Sequence, residues 1–373
     1  MPHPRVSSLH VYPVKACKGI DVEAAWFEHT GLAYDRNWMI VKEEKGKLVT
    51  QRQVAKLALI ATSIPQDVLR QSSQSPPKGA VLTLEAPGMD KLQIPLGTPG
   101  PLKEVSCWEF QGTAYDQGDE AAAWLSEYLQ GRHRLVRYAG GASQAQEVLD
   151  SSRRPADARW VTDQEVAFAD GYPALIVSEG LLEQLNKRLA KPLPMNRFRP
   201  NIVVTDCAAA AEDGWIEYGI GKDVIVESVK PCDRCTVTCT DQDTAEVGKE
   251  PLVTLSTFRT SAALGWDMSK SAVFFGWNIV PKAQGAVHVN DDILIIKRRE
   301  KNVAVPSKKG KSPPATAKPQ VKVKSQQDMI KEGLWAALQG ASVAVAVAGI
   351  LMSLMYYLIK STAPTAEIVG KPT

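Results

Sequence analysis

Val229-Lys-Pro-Cys232-Asp-Arg234-Cys235-Thr-Val-Thr-Cys239-Thr-Asp-Gln-Asp-Thr244 places three of the chain's six cysteines within eight residues. The preceding Asp223-Val-Ile-Val-Glu-Ser-Val229 alternates β-branched residues with others and predicts a strand. Thr236-Val-Thr-Cys-Thr240 predicts a second one, so the cysteines are expected in a tight connection between strands. That setting weighs against two familiar uses of Cys-x-x-Cys. A thioredoxin-like pair needs its first sulfur at a helix N-terminus, and Thr-Val-Thr-Cys-Thr is a poor helix start. A structural zinc needs four ligands, yet no second Cys-x-x-Cys exists and His3, His10, His29, His133 and His288 are scattered. Reduced thiols that simply pack remain one reading. The other is a thiolate that binds a soft metal or takes up sulfur, which Lys230 and Arg234 beside Cys235 would favour.

The rest of the chain is a soluble composition with one exception. Its 373 residues, 44% hydrophobic and 23% charged, suffice for two globular modules. The net charge of +3 is unevenly spread: residues 297–332 carry eleven Lys/Arg against three acids and residues 360–373 a net +1, which leaves residues 1–296 at −6. A mildly acidic body argues against a general nucleic-acid binder. The N-terminal Met-Pro-His-Pro-Arg-Val-Ser-Ser-Leu-His has no apolar run that reads as a signal peptide, and the cysteine spacing is not a disulfide framework, so a cytosolic body is expected.

Read in order, residues 1–135 form a first module. Short apolar runs at Val6–Tyr12, Val22–Phe27, Trp38–Val41, Lys47–Thr50, Leu57–Ile64, Ala80–Leu84, Lys91–Leu96 and Glu104–Phe110 predict strands of a barrel or sandwich. Asp119 to Leu129 predicts a helix with acids in its first turn. The polar stretch from Gly140 to Asp163, with Arg153-Arg154-Pro155, reads as an exposed excursion. Residues 136–297 form a second, also mostly β module, with a helix carrying Leu181, Leu182, Leu185 and Leu189 and strands at Ile202–Thr205, Val224–Val229, Thr236–Thr240 and Ala286–Lys297. Residues 298–333 read as a disordered basic linker. Residues 334–359 are expected to be one membrane-spanning helix, because Gly340 to Ile359 is uncharged and ends in Tyr356-Tyr357 and Lys360. A short tail, 360–373, follows, the layout of a tail anchor. The predicted class is mostly β with a few helices (α+β).

Four motifs in order, Tyr12-Pro-Val-Lys15-Ala-Cys-Lys18-Gly19, Tyr34-Asp-Arg36-Asn-Trp38, Asn196-Arg-Phe-Arg199-Pro-Asn201 and Pro231-Cys-Asp-Arg-Cys235, resemble the molybdenum-cofactor sulfurase C-terminal (MOSC) superfamily. Within it the resemblance is to the amidoxime-reducing branch, over about residues 5–297, including that branch's N-terminal β-barrel module. The resemblance implies a molybdenum cofactor (Mo-molybdopterin) held by a pterin dithiolene, oxo groups and one protein thiolate, Cys235, with Cys232 close by. It implies that Lys15, Arg36 and Arg199 anchor the cofactor phosphate, and that Ala16, Asp170, Gly171, Asn201, Asp233, Arg234 and Asn278 contact the pterin. Ala16 stands where animal relatives have serine and Asn278 where they have tyrosine. The implied reaction reduces N-hydroxylated compounds such as amidoximes, hydroxylamines and also nitrite, with electrons from NADH through cytochrome b5 reductase and cytochrome b5. The implied location is the mitochondrial outer membrane ahead of the endoplasmic reticulum, with the body in the cytosol. A persulfide carrier for cofactor maturation and a metal-free tail-anchored binding module are the alternatives.

Overall fold

A computed structural model of the protein describes residues 3–97, 99–140 and 151–300. Strands β1 (Arg5–Val11), β2 (Ile20–Val22), β3 (Ala24–Glu28), β4 (Gly31–Leu32) and β5 (Trp38–Lys42) open the chain. β6 (Ala61–Ser63), β7 (Val81–Glu85), β8 (Leu92–Pro95), β9 (Leu102–Cys107) and β10 (Phe110–Asp116) follow, then a helix, Asp119–Leu129, and β11 (His133–Tyr138). The second half contributes β12 (Ala174–Ser178), a helix Glu179–Asn186, β13 (Ile202–Thr205), β14 (Trp215–Ile220) and β15 (Val224–Asp233). It ends with β16 (Phe274–Ala283), β17 (Gly285–His288) and β18 (Ile293–Arg298). The protein is mostly β with a few helices, as the alternation of the sequence predicts.

Eight strands make the principal sheet, in the order β18-β14-β15-β16-β12-β13-β1-β2. β12 and β13 run parallel, which requires a crossover, and the helix Glu179–Asn186 supplies it. β1 then joins β13 antiparallel, with Leu9 opposite Ile202. The first strand of the chain therefore extends the sheet of the second half. Val6, Leu9 and Val11 share one buried cluster with Ile202, Val204, Trp277 and Ile279, and the same cluster takes in Leu125 and Leu129 of the helix Asp119–Leu129. Burial of about 1.5–3 kcal/mol per large apolar side chain ties the two halves into one core. β5-β11-β10-β9 form a second sheet, and β17-β3-β4 and β6-β7-β8 two smaller ones.

Several expectations change. Thr236–Cys239 is a 3-10 turn, not a strand. Thr238 donates to the Cys235 carbonyl through both its N–H (3.1 Å) and its hydroxyl (2.9 Å), a local bond that β-propensity ignores. β15 instead runs on through Cys232 to Asp233. Ala55–Leu59 is likewise a 3-10 turn ahead of the short β6, and Lys47–Thr50 makes only isolated bridges, at Lys47 and Leu48. Val22–Phe27 is split between β2 and β3, and Glu104–Phe110 spans the turn of the β9/β10 hairpin. Among the described residues no helix is long and apolar enough to cross a membrane. The expected span 334–359, the linker beyond residue 300 and the tail lie outside the described residues.

Candidate active site

Ala16, Arg36 and Arg199 all have left-handed backbones, with φ of 70°, 50° and 56°. Such residues cost energy when they are not glycine, and surrounding contacts must hold them. Here the turn after β1 and the turn before β5 are laced together: Lys15 N donates to Trp38 O and Arg36 N to Tyr12 O, each at 2.7 Å. Asn201 ties both turns to the second half. Its Nδ2 donates to His10 O at 3.1 Å, and its Oδ1 accepts from Leu175 N at 3.2 Å and Arg36 Nη1 at 3.0 Å.

Cations converge on this junction. Arg36 Nη1 pairs with buried Asp35 at 2.5 Å, and Nη2 donates to the Arg199 carbonyl at 3.1 Å. Burial raises the Asp35 carboxyl, and the Arg36 charge opposes the rise. The Tyr12 ring lies beside both guanidinium groups, 4.2 Å from Arg36 and 4.4 Å from Arg199, centroid to Cζ. Arg199 itself is 9% exposed, and its Nη1 donates to Gln242 Oε1 at 3.2 Å. Its buried Nη2 has no partner among the described residues, and none of their carboxylates lies within ion-pair distance. Burial lowers the Arg199 guanidinium to about 10. A buried, unpaired charge is costly unless an anion completes it.

Lys15 is buried, donating to Phe168 O at 2.7 Å and to Asp170 Oδ1 at 2.5 Å. Asp170 itself is exposed, with 75% of its side chain open. Packing raises its carboxyl, but the Lys15 ammonium and the Trp108 indole N–H, 3.0 Å from Oδ1, outweigh that and hold it well below the usual carboxylate range. Trp108, 40% exposed with φ 55°, caps the β9/β10 hairpin and lies between Lys15 Nζ and the Arg52 guanidinium, 5.6 and 4.6 Å from its centroid.

The cysteine loop separates its two sulfurs. Arg234 Nη1 contacts Cys232 Sγ at 2.8 Å and Nη2 donates to Phe198 O at 2.7 Å, which fixes the loop next to Arg199. Burial raises the Cys232 thiol, with Arg234 opposing. Lys230 pairs with Asp233. The expectation that Lys230 and Arg234 act on Cys235 is therefore corrected: those cations are committed elsewhere. Cys235 is exposed, on extended backbone whose carbonyl anchors the following turn. Asn278 Nδ2 steadies the loop's entry by donating to Lys230 O at 3.3 Å, and the Gly171 carbonyl accepts from Asp157 N at 3.4 Å.

The MOSC N-terminal β-barrel domain matches residues 3–132 and the MOSC domain residues 163–294. Mitochondrial amidoxime reducing component 2 of Bos taurus is 35% identical over 300 residues, 77% of this chain and 82% of the relative. Component 1 is 34% identical over 306 residues in Mus musculus and over 304 in Homo sapiens, in both cases 78% of this chain and 82% of the relative. The chain belongs to the MOSC family, on the branch of the amidoxime-reducing components.

In this MOSC protein the residues fit the cofactor that the family implies. The orphaned Arg199 Nη2 suits a phosphate oxygen, and Cys235 offers one open sulfur on a fixed turn. Among the described residues no three His, Cys, Asp or Glu side chains group as a metal site.

Four contributors escaped the sequence reading. Arg154, expected on an exposed excursion, is buried and donates to the carbonyls of Ala167, Ala169 and Asp170, shaping the loop that meets Lys15. Trp108 carried a signal, a tryptophan at the turn of a predicted run. Gln51 and Gln242 carried none, because two neutral amides 191 positions apart announce nothing in a sequence.

Proposed function

We propose that this MOSC protein is a molybdenum-cofactor-dependent reductase of N-hydroxylated compounds: amidoximes, hydroxylamines and also nitrite. The observation that carries the reading is Arg199, a buried cation with an unpartnered Nη2 beside a loop that presents one open thiol. Arg199, with Arg36 behind it, would hold the cofactor phosphate. Lys15 would join them in anchoring the phosphate, Ala16, Asp170, Gly171, Asn201, Asp233, Arg234 and Asn278 would line the pterin, and Cys235 would ligate the metal. When bound, the cofactor would supply the electrons for N–O cleavage: two, with two protons, take R–N–OH to R–N–H and water, and one, with two protons, takes nitrite to nitric oxide and water. The chain's part is to fix the phosphate, to keep Cys232 covered by Arg234 and to leave Cys235 exposed.

The relatives' names support the same activity and a mitochondrial location. In this reading electrons come from NADH through cytochrome b5 reductase and cytochrome b5. The uncharged run 340–359 anchors the protein in the outer mitochondrial membrane with the body in the cytosol. The test is turnover of benzamidoxime by the purified full-length protein with a reduced artificial donor. Benzamidine formation that depends on molybdenum supports the reading. Molybdenum-loaded protein that yields no benzamidine but carries a cysteine persulfide would assign it to sulfur transfer instead.

A further inference from the structure

Gln51 and Gln242 face each other in a closed pair of amide hydrogen bonds. Gln51 Nε2 donates to Gln242 Oε1 at 3.0 Å, and Gln242 Nε2 returns to Gln51 Oε1 at 3.0 Å. Both side chains are buried, 2% and 3% exposed. The remaining hydrogens are used as well: Gln51 Nε2 donates to Ala16 O at 2.7 Å and Gln242 Nε2 to Thr240 O at 3.0 Å. Gln242 Oε1 has one lone pair left, and Arg199 Nη1 takes it at 3.2 Å.

This arrangement admits one orientation. Flipping either amide would set two N–H groups or two carbonyls against each other, and a flip of Gln242 would also aim an amide N–H at a guanidinium. The pair thus fixes Arg199 through an oxygen that carries no charge. A carboxylate there would satisfy Arg199 and cancel its attraction for an anion; a neutral amide holds the guanidinium and leaves its charge unspent. The pair also joins three segments distant in sequence. It meets the left-handed Ala16 next to Lys15, the turn that follows Cys235 and the left-handed Arg199.

We infer that Gln51 and Gln242 are positioning residues. They lock the Arg199 guanidinium with Nη2 free for a phosphate-bearing ligand, and they hold the Lys15–Ala16 turn and the Cys235–Thr240 turn at a fixed spacing around it. The inference rests on the cofactor reading for the identity of the ligand, but not for the anion-binding chemistry. A merely structural pair would, on removal, lower the stability of the folded chain and leave ligand retention alone. A positioning pair lowers ligand retention as well, beyond what the loss of stability accounts for.

The experiment uses the full-length protein and the variants Gln242→Leu, Gln51→Leu and the double variant. Three quantities are read: molybdopterin per chain after gel filtration, the shift in melting temperature of the cofactor-free protein on adding inorganic phosphate, and that protein's melting temperature without phosphate. Gln242→Leu is expected to weaken phosphate and pterin retention roughly 10- to 100-fold, the equivalent of one hydrogen bond to a charged group. Gln51→Leu, which does not touch Arg199, should give a smaller loss of the same kind. The double variant should match Gln242→Leu rather than the product of the two, because both act along one chain of bonds. Gln242→Glu should weaken phosphate binding, because a carboxylate would neutralise Arg199. Variants that retain pterin and respond to phosphate as the wild type does would overturn the inference while leaving the cofactor reading intact. Wild-type protein that lacks pterin, yet responds to phosphate in a Gln242-dependent way, would do the opposite. Wild type that binds neither would overturn both.

Discussion

Arg36 Nη2 donates to the backbone carbonyl of Arg199 at 3.1 Å, and the guanidinium groups of both residues lie against the Tyr12 ring. Among the described residues the carboxylate at this junction is Asp35, and it pairs with Arg36. The junction therefore keeps one buried positive charge beyond what its acids neutralise, and an anion is the natural complement. For Arg199→Met we expect loss of most bound pterin, with the cofactor-free protein no less stable than wild type, because removing an unpaired buried charge relieves about as much as the lost packing costs. Pterin content and melting curves of the two cofactor-free proteins check this. Full pterin content in the variant would remove the anchoring role.

Arg154 works at one remove from that junction. Its guanidinium is bound to three carbonyls between Ala167 and Asp170, and Phe168 O and Asp170 Oδ1 are where Lys15 ends. Arg154→Met should lower the melting temperature and cofactor content together. The buried Ala167 and Ala169 carbonyls and the part-buried Asp170 carbonyl would lose this donor, at roughly 1–3 kcal/mol for each that stays away from water. An unchanged melting temperature would show that the loop holds its shape without the clamp.

Gly31 makes the same loop dependent on the small β3/β4 hairpin. Its φ is +123°, and a Cβ there would stand 2.3 Å from the Pro173 carbonyl oxygen, two residues beyond Gly171. Gly31→Ala should destabilise the protein by roughly 1–3 kcal/mol and reduce cofactor retention as well, since the Pro173 backbone must move. Urea denaturation with and without cofactor would separate the two effects; a variant as stable as wild type contradicts the close approach.

Glu212 predicts how stability depends on pH. It is fully buried, with Oε1 accepting from Ser178 N at 3.0 Å, and burial together with the neighbouring Asp213 carboxylate pushes its carboxyl from an ordinary 4.5 up to about 7. The folded value lies above the unfolded one, so the folded protein binds the extra proton. The corresponding stability is present in full below pH 4.5 and is lost as pH rises through about 7. Wild type should lose stability across that window relative to Glu212→Gln, by on the order of 3 kcal/mol at most. His133 contributes the opposite slope: burial lowers its pKa, so its contribution falls as pH drops below the ordinary 6.5. Parallel stability profiles for wild type and Glu212→Gln would contradict the assignment.

How far the sequence carried can be seen residue by residue. Asp119–Leu129 was legible to the residue, because acids at the start and apolar spacing agree with the buried face that Trp124, Leu125 and Tyr128 form. Asn201 and Arg199 were legible through the resemblance, but the reason they matter is tertiary: one ties β1 to Leu175, the other is a buried charge whose Nη2 has no partner among the described residues. Thr236–Thr240 misled because β-branched threonine also bonds its own backbone. The joining of β1 to β13 was hidden, since pairing between strands some 200 positions apart leaves no periodic trace. Apart from the resemblance, nothing in the sequence tells Cys232 from Cys235; the placement of Arg234 over Cys232 and the exposure of Cys235 do.

That difference between the two cysteines gives the most direct test of the central claim. Wild type, Cys232→Ala and Cys235→Ala, purified full-length and compared by molybdenum content, electronic spectrum and benzamidoxime turnover, should divide in one way. Cys235→Ala should lose turnover by at least about 1000-fold, the scale on which removal of a group essential to the chemistry is felt, with an altered molybdenum spectrum. Cys232→Ala should keep the spectrum and a substantial part of the activity. Wild-type spectrum and full turnover in Cys235→Ala would contradict the account.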